Sequence, residues 1–343
     1  FEDLLRRTLQ YCGCDVTQVM NLTDVDDKTI RDSQRAGLSL DEFTRKYKDA
    51  FFEDIRTLRI EPAEVYPEAT EHIGEMIGLV RKLLDKGYAY VADDGCVYFS
   101  IRKFDRYGQL ARIDTEAAPT VSRIRHDEYA KESVADFALW KAYTEEDGDV
   151  WWDSPWGRGR PGWHVECSAM SMKYLGETFD IHTGGVDNMF PHHEDEIAQS
   201  EAANGCRFVR YWLHCAHLMV DNRKMSKSEG NFYTLRDLTD KGLEGREIRW
   251  VLLGTHYRQS LNFTIESCRD AKAALQRIDD VIHRLREAAE QPTVEKDAVG
   301  RRCRDAEEAF RNGLEDDLNI SAALAALFDL VRDVNRRLDA GTV

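Results

Sequence analysis

The 343-residue sequence contains no apolar run long enough to cross a membrane. Its longest largely apolar stretch, residues 320–331, is interrupted by Ser321 and Asp329. The first ten residues do not combine a basic start with an apolar core, so no signal peptide is expected. No fixed-period repeat and no low-complexity segment occur. With 42% hydrophobic and 32% charged residues, the composition indicates a folded chain of about two or three domains.

Positive charge is scarce: 47 Lys and Arg residues against 63 Asp and Glu residues give a net charge of −16. This balance argues against a generic nucleic-acid-binding surface, although it leaves room for a local basic patch. The eight cysteines are scattered and form no CxxC pair, which favours reduced thiols over a disulfide framework. We therefore expect a cytoplasmic protein.

The opening segment predicts a helix followed by a strand. Hydrophobic residues recur at helical spacing at Leu4, Leu5, Leu9 and Cys12. Gly13 is predicted to end this helix, and residues 16–21 predict a strand that runs into an acidic turn. A helix followed at once by a strand is typical of a βαβ unit, and ligands gather at the carboxyl ends of parallel strands. Thr23 lies at such an end.

The rest of the chain predicts helices around a central region of short strands. Ser39 is predicted to cap one helix, a second covers residues 69–86, and the residues that follow 101 are polar and irregular up to 135. Residues 88–92 and 96–100 predict a hairpin, because Asp-Asp-Gly joins them. Long amphipathic helices are predicted near the end of the chain, over residues 267–290, 298–314 and 320–338.

A lysine- and serine-rich loop follows the apolar residues 218–220. Its pentamer is Lys224, Met225, Ser226, Lys227 and Ser228, before Glu-Gly-Asn. Two lysines in such a loop can close over a triphosphate and neutralise the charge that develops as pyrophosphate leaves. A solvated surface turn is the alternative, but a complete KMSKS pentamer is rare by chance. We therefore predict ATP binding by the five residues, with Lys224 and Lys227 as catalytic groups.

Three residues form a plausible zinc set. Cys167 precedes His192 by 25 residues, and His192 and Glu196 are four apart, so they project from one helix face. A thiolate, an imidazole and a carboxylate are ligands that zinc accepts. The alternative is a buried structural cysteine with two exposed helix residues. Cys12 and Cys14 are poor candidates for a fourth ligand, because one lies on the apolar helix face and the other follows its end.

Four segments together resemble the cysteinyl-tRNA synthetases, a family of class I aminoacyl-tRNA synthetases. They are NLTDVDDKTI (21–30), GRPGWHVECSAMSMKYLG (159–176), FDIHTGGVDNMFPHHEDEIAQSEA (179–202) and KMSKSEGNFYTLRDL (224–238). The resemblance implies an α/β fold: a Rossmann-type parallel-sheet catalytic domain with an α+β insertion, followed by an all-α helical bundle. It places the catalytic domain in residues 1–30 and 151–235, the connective insertion in 31–150, a linker in 236–260 and a tRNA-binding helical domain in 261–343.

The resemblance also implies which residues form the site. It assigns zinc to Cys167, His192 and Glu196, and the cysteine pocket to Thr23, Trp163 and His182. For Trp163, core packing is the alternative, because three other tryptophans lie nearby in the sequence. The family's fourth zinc ligand and its HIGH motif would precede Phe1, so a chain shortened at both ends and inactive in isolation is expected. Thr183 stands where many members have glycine, a departure expected to matter little.

The function implied is ATP-dependent ligation of L-cysteine to tRNA(Cys), with Mg²⁺ accompanying ATP and one Zn²⁺ per chain selecting the thiol. A monomer is expected, and arginines near the end of the chain, including Arg332 and Arg336, are expected to meet tRNA phosphates. Two alternatives stay open. One is a zinc-dependent ligase that joins cysteine to an amino-sugar, and the other is a shortened, non-catalytic zinc- or RNA-binding paralogue.

Overall fold

A computed structural model describes residues 1–113, 136–226, 230–289 and 296–341. The chain divides into two compact units. The first unit consists of Phe1–Val16, Glu53–Glu61 and Cys215–Val343, and the second of Thr17–Phe52 and Pro62–His214. Within the described ranges, no helix has both the length and the apolar character needed to span a bilayer.

The helices and strands alternate irregularly along the chain. The helices are α1 (Glu2–Tyr11), α2 (Asp27–Ala36), α3 (Leu40–Thr57), α4 (Ile73–Asp85), α5 (Trp163–Leu175), α6 (Glu194–Asn204), α7 (Leu235–Asp240), α8 (Gly245–Leu253), α9 (Ile265–Ala288), α10 (Lys296–Glu315) and α11 (Ile320–Asp339). The strands are β1 (Ala89–Val91), β2 (Val97–Phe99), β3 (Phe137–Ala142), β4 (Trp152–Ser154), β5 (Gly157–Pro161), β6 (Phe179–Gly185), β7 (Val209–Cys215), β8 (Leu218–Val220), β9 (Arg223–Lys224) and β10 (Leu261–Phe263). The predicted hairpin and the three predicted C-terminal helices are confirmed.

An antiparallel sheet of five strands, in the order β1-β2-β3-β5-β4, supports the second unit. Helix α4 packs against this core through residues at helical spacing, which are Met76, Leu79, Val80 and Leu83. Strand β3 adds the fully buried Trp140. Strand β5 ends at Pro161 and α5 begins at Trp163, so the sheet fixes the start of the helix that carries Cys167.

A strand–helix–strand segment completes the second unit. Strand β6 is the hydrogen-bonded neighbour of β7, and Phe179, Phe208 and Val209 form their shared core. A Gly-Gly turn ends β6, and an irregular turn over Met189–His193, in which Phe190 is extended, leads into α6. This arrangement brings the histidines of the segment close to the first turn of α6.

The predicted strand over residues 16–21 is not a regular strand. The segment is extended and pairs in parallel with the chain around Val65, but only through isolated bridges such as that between Val19 and Val65. Pro67 accepts a hydrogen bond in this pairing and cannot donate one, which limits the ladder. Thr23 follows the paired segment, as the sequence predicted. Helix α2, which was not predicted, starts immediately afterwards.

Helix α1 has the predicted extent but buries a polar face. Asp3 is buried, whereas Leu5 and Leu9 are only half-buried. The Asp3 carboxylate accepts a hydrogen bond from the backbone N–H of Glu61 at 2.8 Å and pairs with Arg249. These polar contacts orient the helix within the first unit.

The first unit is mainly helical. Helix α9 packs against α8 and α11, and α11 also packs against α10. Val281, Val331 and Val334 form the buried centre of this helical part. Strand β8 pairs in parallel with β10 and antiparallel with β9, and the KMSKS segment begins in β9. The short sheet thus fixes the start of that loop.

The close packing of Gly162 between β5 and α5 generates a stability prediction. A Cβ atom on Gly162 would lie 2.0 Å from the Ala138 carbonyl oxygen, so backbone must move to admit it. We expect Gly162→Ala to lower the free energy of unfolding by about 1–3 kcal/mol. Urea denaturation followed by circular dichroism measures the change.

Gly78→Ala is the matched control, because Gly78 lies in the interior of α4 with open space around it. The control is expected to raise the free energy of unfolding by about 0.5–1 kcal/mol. Equal effects of the two substitutions would show that the contact with Ala138 does not constrain the start of α5.

Candidate active site

Cys167, His192 and Glu196 converge in the second unit. Their ligand atoms, one from each side chain, all lie within 4.8 Å of one another. Nε2 of His192 lies 3.1 Å from Oε1 of Glu196, as their four-residue spacing predicted. Glu196 is completely buried, and its Oε1 has no hydrogen-bond partner among the described atoms. A buried carboxylate oxygen without a donor, beside a thiol and an imidazole, is suited to a cation.

The pKa values around this cluster are displaced in different directions. Burial alone would raise the pKa of Glu196, but the charges of His182 and His192 outweigh it and lower that pKa to about 2. Burial, together with the charges of Glu196 and Glu166, raises the pKa of the Cys167 thiol well above its usual range. Burial lowers the pKa of His192. These shifts favour an ionised carboxylate at Glu196 and a neutral thiol at Cys167, beside the buried imidazole of His192.

Each residue predicted to line the cysteine pocket lies next to the ligand cluster. Trp163 stacks on His192 with ring centroids 4.2 Å apart and stays 48% exposed, which does not fit the core-packing alternative. Nε2 of His182 lies 2.9 Å from Oε2 of Glu196. The structure therefore brings these two residues to one place.

Thr23 reaches the cluster through Asn21, a residue that sequence reasoning missed. The Asn21 amide donates to Oγ1 of Thr23 at 3.3 Å and to Sγ of Cys167 at 3.5 Å. Next to them, the buried Asp24 accepts hydrogen bonds from Oγ1 of Thr70 at 2.7 Å and from Nζ of Lys48 at 2.8 Å. The buried carboxylate thus anchors the segment that presents Thr23.

Three further residues, also missed, enclose His182. His182 stacks on Trp212 with centroids 4.8 Å apart, and Nδ1 of His193 lies 2.8 Å from Nε2 of His214. Trp212 and His214 are two residues apart on β7, so their side chains lie on the same face of the strand. This two-residue spacing is the sequence signal that could have identified them. His182, His193 and Glu196 also form a second group of potential metal ligands, so Glu196 belongs to both groups.

The base of the lysine loop is held by Asn231. The Asn231 amide donates to the carbonyl oxygens of Val220 at 3.3 Å and Lys224 at 3.2 Å. Its oxygen accepts a hydrogen bond from the N–H of Ser226 at 2.9 Å. Lys224 is exposed and Met225 packs on the first unit's core, whereas Lys227 and Ser228 lie outside the described residues. Asn231 was missed as a functional residue, although it lies only three positions after the end of the KMSKS pentamer.

Comparison with known proteins identifies the family. Residues 1–273 match the family of tRNA synthetases class I (C) catalytic domains, and residues 309–342 match the DALR domain. The cysteine–tRNA ligase of Protochlamydia amoebophila is 55% identical over 347 residues, covering 100% of this chain and 72% of the relative. The cysteine–tRNA ligase of Brachyspira hyodysenteriae is 55% identical over 343 residues, covering 99% and 72%. The chain belongs to the cysteine–tRNA ligase family.

Membership of the cysteine–tRNA ligase family confirms the resemblance and makes the protein an aminoacyl-tRNA synthetase of class I. The alternatives of an amino-sugar ligase and a non-catalytic paralogue are not favoured. The methionyl-tRNA synthetase of Mycobacterium tuberculosis, solved with methionyl-adenylate, has a similar fold: the TM-score is 0.71 at 16% identity, over 98% of this chain and 78% of that one. The predicted fold class, a Rossmann-like catalytic domain followed by a helical domain, is confirmed.

Two arginines expected to contact tRNA are paired with acids in this cysteine–tRNA ligase family member. Arg332 lies 3.0 Å from Asp329, and Arg336 pairs with Asp333, each one turn away on α11. Both arginine side chains remain more than 70% exposed, at 73% and 77%. Exposed pairs of this kind are weak, so a role at tRNA phosphates stays a prediction.

The Gly-Gly turn after β6 generates a prediction about the imidazole cluster. A Cβ atom on Gly184 would lie 2.7 Å from Cε1 of the buried His193 ring. We expect Gly184→Ala to displace this ring and to lower the free energy of unfolding by about 1–3 kcal/mol, measured by thermal denaturation.

Gly185→Ala is the adjacent control. Its Cβ would come closest to the terminal oxygen of Asp187, at 2.3 Å, and that flexible side chain can swing away. The control is expected to cost less than half as much stability. A larger effect at Gly185 than at Gly184 would contradict the importance of the close approach to His193.

Proposed function

We propose that the chain activates L-cysteine with ATP and transfers the cysteinyl group to tRNA(Cys). The cysteine carboxylate attacks the α-phosphate, which gives cysteinyl-adenylate and releases pyrophosphate. A hydroxyl of the terminal ribose of tRNA then attacks the acyl carbon, which releases AMP. The observation that carries the proposal is the thiol–imidazole–carboxylate cluster beside a half-exposed tryptophan, in a chain of the cysteine–tRNA ligase family.

The residues present fit one zinc ion held by Cys167, His192 and Glu196. The set combines a soft sulfur ligand with an imidazole and a buried carboxylate oxygen that has no hydrogen bond. The second group, His182 with His193 and Glu196, has no sulfur and suits zinc less well. When bound, zinc supplies a soft Lewis acid that coordinates a thiolate much more strongly than a neutral hydroxyl.

Such a site is needed because cysteine and serine differ only by sulfur in place of oxygen. A pocket that relies on shape alone rejects a near-isostere poorly. Trp163 is proposed to cover the small side chain with its exposed face, while its other face stacks on His192. His182 holds the second oxygen of Glu196, and Thr23 lines the pocket beside Cys167.

The KMSKS loop is proposed to bind ATP, with Mg²⁺ accompanying the nucleotide. Lys224, Met225, Ser226, Lys227 and Ser228 make up the ATP-binding set. The ammonium groups of the two lysines stabilise the charge that develops on the departing pyrophosphate. Asn231 supports this role, because its three hydrogen bonds fix both ends of the short segment that leads into the loop.

The helical part of the chain is proposed to bind tRNA, and the protein to act as a monomer. The domain boundaries predicted from the sequence, with the catalytic domain in 1–30 and 151–235, the insertion in 31–150, the linker in 236–260 and the tRNA-binding helices in 261–343, are part of this proposal. Since the net charge is −16, tRNA must meet a local concentration of basic residues.

Cys167→Ser tests the metal set and thiol selection together. The hydroxyl keeps the size of the side chain but is a poor zinc ligand, so zinc affinity is expected to fall by more than about 100-fold. As zinc binding weakens, the dissociation constant of cysteine should rise, while the dissociation constant of ATP should change little. Chelator competition and equilibrium dialysis measure these constants in the purified protein.

Cys303→Ser is the control, because Cys303 is an exposed thiol on α10. It should leave the zinc content and both dissociation constants unchanged. If Cys167→Ser weakened ATP and cysteine equally, the role of the metal in choosing the thiol would be contradicted.

Lys227→Ala tests the loop. The charge of Lys227 is needed where pyrophosphate charge develops, so cysteine-dependent pyrophosphate exchange by the full-length enzyme should slow by about 100-fold or more. Cysteine binding, measured in parallel, should change much less. Lys241→Ala, which removes a surface lysine above the ring of Tyr233, is the control and should exchange normally. Normal exchange by Lys227→Ala would refute the assignment.

A further inference from the structure

A side chain outside the ligand set connects His192 to a buried carboxylate. Nδ1 of His164 lies 2.7 Å from Nδ1 of His192, and Nε2 of His164 lies 3.2 Å from Oδ2 of Asp195. The other oxygen of Asp195 accepts a hydrogen bond from the hydroxyl of Tyr107. The four residues thus form a chain of contacts that ends on a proposed zinc ligand.

Helices α5 and α6 each contribute one proposed zinc ligand and one residue that lies behind the ligands and does not bind the metal. On α5, His164 and Cys167 are three apart and share a face. Asp195 and Glu196 follow His192 by three and four residues at the start of α6. The same helix crossing that brings the ligands together therefore also places His164 against His192.

The proton positions follow from the partners of each nitrogen. A carboxylate only accepts hydrogen bonds, so the nitrogen that faces Asp195 across the 3.2 Å contact, Nε2 of His164, is the one that holds a proton. A neutral imidazole has one protonated nitrogen, so with the proton on Nε2 the Nδ1 atom of His164 is an acceptor toward His192. The proton between the two Nδ1 atoms therefore belongs to His192. Its Nε2 then carries the lone pair.

That lone pair lies 3.1 Å from Oε1 of Glu196, the carboxylate oxygen that has no hydrogen bond. Two electron-rich atoms face each other in a buried place, and a cation between them removes their repulsion. Outer residues that fix the tautomer of a metal-binding histidine in this way raise its readiness to coordinate.

We propose that His164, oriented by Asp195 and Tyr107, is a positioning residue that holds His192 in the tautomer able to bind zinc through Nε2. The inference rests on the proposed zinc site and goes beyond it, since none of the three outer residues is a ligand. His164 acts through His192 and is not required to touch the substrate.

Asp195→Asn is the sharpest test, because it keeps the size of the side chain. Tyr107 donates to one end of the amide, so the NH₂ group faces His164 and forces Nε2 of that ring to accept. The proton between the two histidines then comes from His164, and the proton of His192 moves to Nε2, where it blocks the metal. We expect the zinc dissociation constant to rise by about 10–100-fold, measured by competition with a chromophoric chelator. His164→Phe, which removes both nitrogens, should have an effect of similar size.

Tyr174→Phe is the matched control. Its hydroxyl lies 2.8 Å from Nε2 of His72, which makes it a tyrosine–histidine pair in the same unit but outside the chain of contacts. Zinc binding should be unchanged in this variant. Circular dichroism checks the folding of every variant, and Asp195→Asn decides the matter if His164→Phe does not fold.

Long-range ¹⁵N–¹H correlation spectra of the metal-free protein, labelled with ¹⁵N-histidine, give a readout that needs no zinc. We expect a proton on Nδ1 of His192 and on Nε2 of His164. A proton on Nε2 of His192, or folded variants whose zinc affinity stays within twofold of the parent, would overturn the inference. A parent protein that binds no zinc but shows the expected tautomers would refute the proposed metal site and leave the positioning of His192 intact.

Discussion

The buried carboxylate of Glu196 is the interaction on which the site depends. Moving an ionised carboxylate out of water costs several kcal/mol unless partners compensate. Here one oxygen meets His182, and the other meets His192 without a hydrogen bond. The protein itself thus compensates the burial of only one carboxylate oxygen of Glu196. The other oxygen is available to a cation. The surrounding rings and helices are best understood as the structure that keeps this carboxylate ionised and in place.

The scaffold achieves this by close backbone approaches. The absence of a side chain at Gly162 lets the start of α5 approach the carbonyl of Ala138, and the same absence at Gly184 admits the ring of His193. Because both approaches are tighter than a Cβ atom allows, the helices that carry Cys167 and Glu196 have little freedom to shift. Precision at a ligand site depends on such rigid support.

Charge is distributed unevenly between the two tasks of the enzyme. The group of potential metal ligands combines buried acids and imidazoles, whereas Lys224, at the start of the KMSKS segment, is exposed on a chain of net charge −16. An acidic background limits non-specific attraction of nucleic acids, so binding of an anion requires lysines and arginines placed locally. Asn231 holds the backbone at the start of the loop while Lys224 stays in solvent, which is the placement that the proposed ATP-binding role requires.

The sequence by itself determined the local relations. The four-residue spacing of His192 and Glu196 brings the two side chains together at the start of α6, and the hairpin around Asp-Asp-Gly and the C-terminal helices follow from equally short-range patterns. These relations were predictable because helix and turn geometry act over only a few residues.

Only the tertiary structure decided the contacts between distant segments. Asn21 touches Cys167 across 146 positions, and His164 touches His192 across 28. The exposure of Trp163, the irregular pairing of residues 16–21 and the polar face of α1 were likewise beyond local patterns. The physical reason is that periodicity specifies which face of an element is apolar, whereas the crossing of helices and the path of the chain decide what that face meets.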